Sequence, residues 1–174
     1  AHGKTQNIPN VFLIKLKNIN YDNYKKELDE SITELKKENL VVFPTETVYG
    51  LGAIGNSEKA IKSIYHAKKR PSNNPLIVHT FDKKEAEKYG EFTSVAEILT
   101  ERYWPGPLTV ILQTKQNNLA KSLSQGKSTI AIRVPSHPVA RDLLEQLKIP
   151  ILAPSANKSG AVSPTEINHV KVDF

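Results

Sequence analysis

The stretch that decides the fold lies between residues 41 and 79, where two polar segments stand between apolar runs. The first, Pro44-Thr45-Glu46-Thr47-Val48-Tyr49-Gly50-Leu51-Gly52, follows a run of apolar residues at 40–43. The second, Lys68-Lys69-Arg70-Pro71-Ser72-Asn73-Asn74-Pro75, leads into the apolar residues 76–78. An amphipathic helix is predicted between them, so hydroxyls, glycines and cations stand on loops at strand ends. This is where an α/β sheet usually binds its ligand.

Outside this stretch the pattern predicts further strands and helices in mixed order. Apolar residues at spacings of four, four and three predict a helix over 21–38, with Asp22 as its cap. Strands are predicted at 11–16, 40–43, 76–79, 108–112, 128–134 and 149–153, and further helices at 57–67, 82–89, 93–103 and after Ser136 as N-cap. Residues 117–127 give no clear pattern. The fold class predicted is α/β (α+β), a twisted mixed β-sheet with flanking helices.

The length of 174 residues predicts a single domain over 1–174, in which 1–10 form a tail or include a cloning remnant at Ala1-His2-Gly3. No apolar run approaches the ~20 residues that span a membrane, so no membrane partner is expected. Cys is absent, which excludes disulfides and thiolate sites and fits a cytoplasmic location. The five His are scattered, and no protein-held metal site is expected.

The net charge of +6 favours anionic partners such as nucleotides or nucleic acid. Lysines of the N-terminal section are expected to form a solvated face. The cations placed near loops carry more information, and these are Lys68, Lys69, Arg70, Arg133 and Lys158.

Two nucleotide-binding motifs are matched only in part by the glycines after Tyr49. Residues 50–55 fit G-x-G-x-x-G, but they do not directly follow the strand at 40–43, and no acidic residue stands about 20 positions on. Residues 50–57 fit the P-loop except that Asn56 replaces its lysine. Both readings are therefore disfavoured, and Gly55 is expected at a turn with positive φ.

Four stretches in this order resemble the YrdC-like, threonylcarbamoyl-AMP synthase family. They are the segment from Pro44 to Gly52, Lys68-x-Arg70-Pro71 continuing to Pro75-Leu76-Ile77-Val78-His79, Trp104-Pro105-Gly106-Pro107-Leu108-Thr109, and Arg133-Val134-Pro135 followed by Pro154-Ser155-Ala156-Asn157. The resemblance covers nearly all of the chain after residue 40. It implies that family's twisted-sheet fold with an open, basic cavity.

The resemblance also implies a reaction, in which L-threonine, bicarbonate and ATP give threonylcarbamoyl-AMP and pyrophosphate for the t6A modification of tRNA. Mg²⁺ would enter through the ATP phosphates. A tRNA threonylcarbamoyl transferase would use the product, and tRNA or double-stranded RNA is a further candidate partner. Family members usually continue into another Ser-Thr segment, so either the C-terminal end is truncated or this member is short.

Carried over by motif, the threonine-binding residues would be Thr47, His79 and Arg133. Lys68 and Arg70 would be catalytic, since they would neutralise phosphate charge. The nucleotide-binding residues would be Lys68, Arg70, Asn74, Thr129, Ser155, Asn157 and Ser163.

Several of these residues have a simpler structural interpretation. Arg133 stands among apolar residues of a strand and needs a carboxylate partner, which either the protein or a ligand could supply. Glu46 could place a metal ion or water, but an exposed loop acid is the simpler reading. Thr47 and Ser155 could be turn or cap residues, and Trp104 is expected to anchor packing.

Two other functions remain open from the sequence. One is a non-catalytic RNA-binding module, although no basic run is interleaved with aromatic residues. The other is a relative that handles carbamoyl-adenylate made from carbamoyl phosphate. Substrate preference would separate this relative from the synthase.

Overall fold

The structure, a computed structural model, describes residues 11–13 and 21–154. Its strands are β1 Val11–Leu13, β2 Leu40–Pro44, β3 Tyr49–Ile54, β4 Ile77–His79, β5 Gly90–Glu91, β6 Thr109–Thr114, β7 Thr129–Arg133 and β8 Ile151–Leu152. Its helices are α1 Tyr21–Lys36, α2 Glu58–Lys68, α3 Lys83–Ala86, α4 Ser94–Tyr103, α5 Asn118–Leu123 and α6 Pro138–Leu147. The predicted α/β class is confirmed.

The strands form one mixed sheet in the order β1-β2-β3-β8-β4-β7-β6-β5. Strands β4 and β7 run parallel at its centre, with His79 opposite Arg133, and β8 runs antiparallel to β4. Central strands are buried on both faces, which explains why β2 reads as an unbroken apolar run. The helices supply the remaining core through inward faces such as Leu143, Leu144 and Leu147 of α6.

The glycine-rich stretch after Tyr49 is strand β3, where a loop was predicted. A Cβ on Gly52 would lie 2.8 Å from the Phe43 ring of β2. This position therefore accepts only a residue without a side chain. Gly55 is not at a positive φ as predicted. It is packed instead, because a Cβ there would lie 2.5 Å from Leu123 and 2.6 Å from the carbonyl oxygen of Pro150.

Smaller corrections concern helix ends and short elements. The N-cap of α6 is His137, whose Nδ1 accepts from the Val139 N–H, and Ser136 lies one residue earlier. Helix α1 begins at Tyr21, which puts Asp22 inside its first turn. The polar segment 117–127 contains α5, capped by Asn117. Among the described residues no helix has both the length and the apolar composition needed to cross a membrane.

Candidate active site

Arg133 is the last residue of β7, and its guanidinium group bonds to three residues in two other parts of the chain. Its Nε donates to the carbonyl oxygen of Gly106 over 3.1 Å, and its Nη1 donates to the Thr47 hydroxyl over 3.1 Å. Its Nη2 donates to the Glu46 carboxylate. Only 7% of the Arg133 side chain is exposed, so this cation depends on its protein partners for the solvation that it has lost.

Glu46 supplies the protein carboxylate that the sequence left open as the partner of Arg133. Its second oxygen accepts hydrogen bonds from the backbone N–H groups of Ser136 and His137, over 3.1 and 3.2 Å. Burial alone would raise the pKa of Glu46, but Arg133 and the backbone N–H groups of Glu46 itself and of Ser136 outweigh burial and lower the pKa. Glu46 is therefore ionised at neutral pH. It is the exposed loop acid that was expected, but its carboxylate is paired with Arg133.

The loop between β2 and β3 reaches Arg133 in a fixed conformation. The Thr45 hydroxyl lies 2.6 Å from the Val48 carbonyl oxygen and 3.1 Å from the Thr47 hydroxyl, and it accepts from the Val48 N–H over 3.2 Å. A threonine side chain bonded in this way closes a tight turn within its own loop. Two consecutive side chains, Glu46 and Thr47, are thereby held against one guanidinium group.

His79 lies beside Arg133 on the neighbouring strand and is 3% exposed. Its Nδ1 is 3.1 Å from the Ile77 carbonyl oxygen, and its ring meets the Phe43 ring edge to face at 6.0 Å between centroids. Burial and the Arg133 charge lower the pKa of His79 to about 4, so the imidazole is neutral at pH 7. The three predicted threonine-binding residues are thus brought to one place.

Arg70 lies in the loop between α2 and β4, and this loop is held from three sides. The Arg70 Nη2 donates to the Pro75 carbonyl oxygen over 2.9 Å, and the Lys127 ammonium donates to the Asn73 carbonyl oxygen over 3.0 Å. The Tyr65 hydroxyl lies 2.7 Å from the Asn74 carbonyl oxygen. The Nε of Arg70 is buried without a hydrogen-bond partner, which is costly for a cationic donor and marks it as available to an anion.

Lys68 and Lys69 differ sharply although they are adjacent. Lys68 ends α2 and is 1% exposed, so it is a buried helical residue and not a solvated loop residue. Lys69 is exposed and takes the left-handed conformation at the C-cap, with φ of 51°. Its backbone N–H donates to the His66 carbonyl oxygen, which makes it a helix-ending residue.

Strand β7 separates the candidate residues into two groups. Thr129 begins this strand and Arg133 ends it, so about 13 Å of extended chain lies between them. Thr129 is close to the loop of Asn74, because Lys127 bonds to Asn73. The predicted nucleotide-binding residues Arg70, Asn74 and Thr129 therefore lie toward the start of β7. The predicted threonine-binding residues lie at its end. Ser155, Asn157 and Ser163, together with Lys158, lie outside the described residues.

Sequence reasoning missed the part that two residues play as partners of Arg133, namely Glu46 and Gly106. The signal for Glu46 was the need of Arg133 for a counter-charge, but 87 positions separate the two residues. Gly106 belongs to the Trp-Pro-Gly-Pro turn, whose Trp104 was predicted only to anchor packing. That prediction is confirmed, since the indole Nε1 donates to the Leu108 carbonyl oxygen over 2.8 Å and its ring meets Phe92.

A protein-held metal centre finds no support in the described part of the chain. Across residues 11–13 and 21–154 no three His, Asp or Glu side chains are grouped so that they could hold a metal ion. The donor set near Arg70 is cationic, and it suits phosphate oxygens rather than a cation.

Comparisons with known proteins agree on one family. The model named Sua5_yciO_yrdC, described as "Telomere recombination", matches residues 33–174. Threonylcarbamoyl-AMP synthase of Bacillus subtilis is 46% identical over 149 residues, which cover 85% of this chain and 43% of that protein. The protein of the same name from Psychromonas ingrahamii is 34% identical over 150 residues, which cover 83% of this chain and 78% of the relative.

A solved structure extends this likeness to the whole described fold. The Sua5 protein of Pyrococcus abyssi, complexed with L-threonine, superposes with a TM-score of 0.82 at 39% identity, covering 94% of this chain and 47% of that one. The chain thus spans less than half the length of the Bacillus and Pyrococcus proteins. With its motifs, its sheet and its relatives in agreement, the chain belongs to the Sua5/YciO/YrdC family.

Proposed function

We propose that this chain carries the activity of an L-threonylcarbamoyladenylate synthase, a nucleotidyltransferase that uses L-threonine, bicarbonate and ATP. The observation that carries the proposal is the meeting of Thr47, His79 and Arg133 at one end of β7, with a cationic loop near the other end. Relatives bear the name of this enzyme, and a Pyrococcus structure of the family holds L-threonine.

The three residues at the end of β7, Thr47, His79 and Arg133, support recognition of a small polar molecule. Arg133 is a buried cation with N–H groups beyond the three that the protein uses, and it suits a carboxylate. The Thr47 hydroxyl is exposed next to it. His79 is neutral at pH 7 and can exchange hydrogen bonds without adding charge.

The predicted nucleotide-binding residues near the start of β7 support binding of a triphosphate. Arg70 has a buried Nε that an anionic oxygen would satisfy, and Lys68 places a second cation two residues earlier. Asn74 and Thr129 add polar groups on the same side of the sheet, and Ser155, Asn157 and Ser163 complete the proposed set. Mg²⁺ would enter as the complex with ATP, bound through the phosphates.

The chemistry needs positioning and charge neutralisation rather than a protein nucleophile. The ammonium group of threonine loses a proton to solvent, and the free amine combines with bicarbonate to give a carbamate and water. A carbamate oxygen then bonds to the α-phosphorus of ATP while the bond from that phosphorus to pyrophosphate breaks. Charge develops on the phosphate oxygens during this step, and Lys68 and Arg70 are proposed to stabilise it.

We propose, from the resemblance to this family, that the product, a reactive adenylate, serves tRNA processing. A tRNA threonylcarbamoyl transferase would consume it to form t6A. RNA binding and a cytoplasmic location are parts of the same proposal.

The test is mass spectrometry of this chain with ATP, Mg²⁺, L-threonine and bicarbonate, and with threonine omitted as a control. Threonylcarbamoyl-AMP and pyrophosphate should form only when threonine is present. Arg70→Gln should lower the rate about 10²-fold or more, and Lys69→Gln, which changes an adjacent exposed cation, should leave it unchanged. Equal rates for the Arg70 variant and the wild type would refute the assignment of Arg70.

Absence of product from the wild-type chain would refute the activity of these 174 residues. Calorimetry with ATP would then show what remains. Nucleotide binding without turnover would point to a segment that the longer relatives possess. Absence of nucleotide binding would contradict the proposed function altogether.

A further inference from the structure

Glu46 is the more accessible partner of the buried ion pair at the end of β7. The Glu46 side chain is 21% exposed and the Arg133 side chain 7%. A ligand that approaches from solvent therefore meets the carboxylate as well as the guanidinium group. The Thr47 hydroxyl stands beside both, because it accepts from the Arg133 Nη1.

Both members of the pair retain hydrogen-bonding capacity. Arg133 carries five N–H groups. Three of them, one on each nitrogen, bond to Gly106, Thr47 and Glu46, and two remain for a ligand. The Glu46 oxygen that faces Ser136 and His137 already accepts two bonds. Its other oxygen accepts from Arg133, and the backbone N–H of Glu46 also interacts with the carboxylate. The side chain nevertheless keeps 21% of its surface exposed to an approaching ligand. The site thus offers donors and an anionic acceptor side by side.

We propose that Glu46 binds the α-ammonium group of the amino acid substrate while Arg133 binds its α-carboxylate. This inference rests on the proposed function and names a substrate-binding residue that the motif comparison did not. A free amino acid at neutral pH carries a positive ammonium group and a negative carboxylate group, both attached to the same carbon atom. A neutral carboxylate–guanidinium pair matches such a zwitterion without leaving a net charge buried.

The surroundings of Glu46 keep it suited to this role. Three hydrogen bonds from Arg133 and the start of α6 hold the carboxylate in place and ionised. A carboxylic acid without an ammonium group would meet the Glu46 charge with nothing to offset it. Repulsion of this kind gives selectivity for amino acids over simple hydroxy acids. The role is binding alone, since no bond is made or broken at Glu46.

The test compares L-threonine with (R)-3-hydroxybutyrate, which lacks only the amino group. Calorimetry is done with the 174-residue chain and the non-cleavable α,β-methylene analogue of ATP. Wild type should prefer threonine. Glu46→Gln should weaken threonine binding about tenfold or more, the loss expected for a hydrogen bond to a charged group, and should leave hydroxybutyrate binding unchanged or tighten it, because the repelling charge is gone. Glu46→Asp, which restores the charge, should recover part of the preference.

A structural role for Glu46 gives a different result. If Glu46 only positions Arg133, Glu46→Gln will weaken both ligands equally, and the proposal is overturned. Unchanged threonine binding overturns it as well. Glu145→Gln, an exposed acid of α6, serves as the control and should match wild type, and nucleotide affinity reports that each variant is folded. Failure of wild type to bind threonine would instead refute the proposed function.

Discussion

At the scale of single residues, Gly106 shows how a missing side chain shapes the site. A Cβ there would lie 2.3 Å from the carbonyl oxygen of Tyr103, too close for any real contact. Gly106 also donates to the Val134 carbonyl oxygen over 2.8 Å and accepts from the Arg133 Nε. Gly106→Ala should therefore lower the free energy of unfolding by about 1–3 kcal/mol and weaken threonine binding, as urea denaturation and calorimetry would measure.

The control for this substitution is Gly126→Asn. Gly126 has a φ of 72° and no atom within 4 Å of its missing Cβ, and Asn tolerates that conformation. Its effect on threonine binding should be negligible. A Gly106→Ala variant that binds threonine as wild type does would show that the turn does not support Arg133.

The residues of the site were predictable to the extent that local chemistry revealed them. A cation in an apolar strand demands a carboxylate, and this need could be stated for Arg133 from the sequence. The identity of the carboxylate could not, because Glu46 reaches Arg133 only after the sheet has formed. Gly106 was hidden for the same reason, since its close approach to Tyr103 depends on the path of the turn.

At the scale of elements, periodicity predicted most helices and strands but not β3. The glycines of β3 resemble a turn in sequence, yet Gly52 is required because Phe43 of β2 and Ile151 of the strand beyond occupy the space of its side chain. Propensity is overridden here by packing between strands. The two-residue strand β5 was likewise not predicted, because pairing with a neighbour defines it. Strand β8 lies within the strand predicted at 149–153 but is shorter.

Helix α2 and the loop that follows it form one unit through Tyr65. Its hydroxyl lies 2.7 Å from the Asn74 carbonyl oxygen and 2.5 Å from the Gln125 side-chain oxygen. Tyr65→Phe should cost about 1 kcal/mol of stability and loosen the loop that carries Arg70. We expect a few-fold loss of nucleotide affinity with threonine affinity unchanged, measured by calorimetry.

Tyr103→Phe is the matched substitution for this comparison. Tyr103 is 48% exposed on α4, and its hydroxyl should be dispensable. Equal nucleotide affinities for the two variants would show that the loop keeps its conformation without Tyr65.

At the scale of the whole molecule, buried titratable groups tie stability to pH. His79 is a buried residue of the central strand β4. Burial together with the Arg133 charge lowers its pKa to about 4. Burial also lowers the pKa of His137, the N-cap of α6. Glu46 has a lowered pKa as well, so its contribution is present at neutral pH and is lost only in the acid range below its usual value.

For His79 the linkage has a definite sign and window. Its pKa is lower in the folded chain than the value of about 6.5 in the unfolded chain, so the unfolded chain binds the proton first. Titration of His79 therefore leaves the free energy of unfolding unchanged above pH 6.5. It lowers this free energy as the pH drops toward 4, by up to about 3 kcal/mol. Urea denaturation at pH 7.5 and pH 5 should show about 2 kcal/mol of this fall in wild type and a smaller change in His79→Gln. An imidazole signal of His79 that titrates near 6.5 in NMR spectra of the wild type would contradict the argument, whatever the stability of the variant.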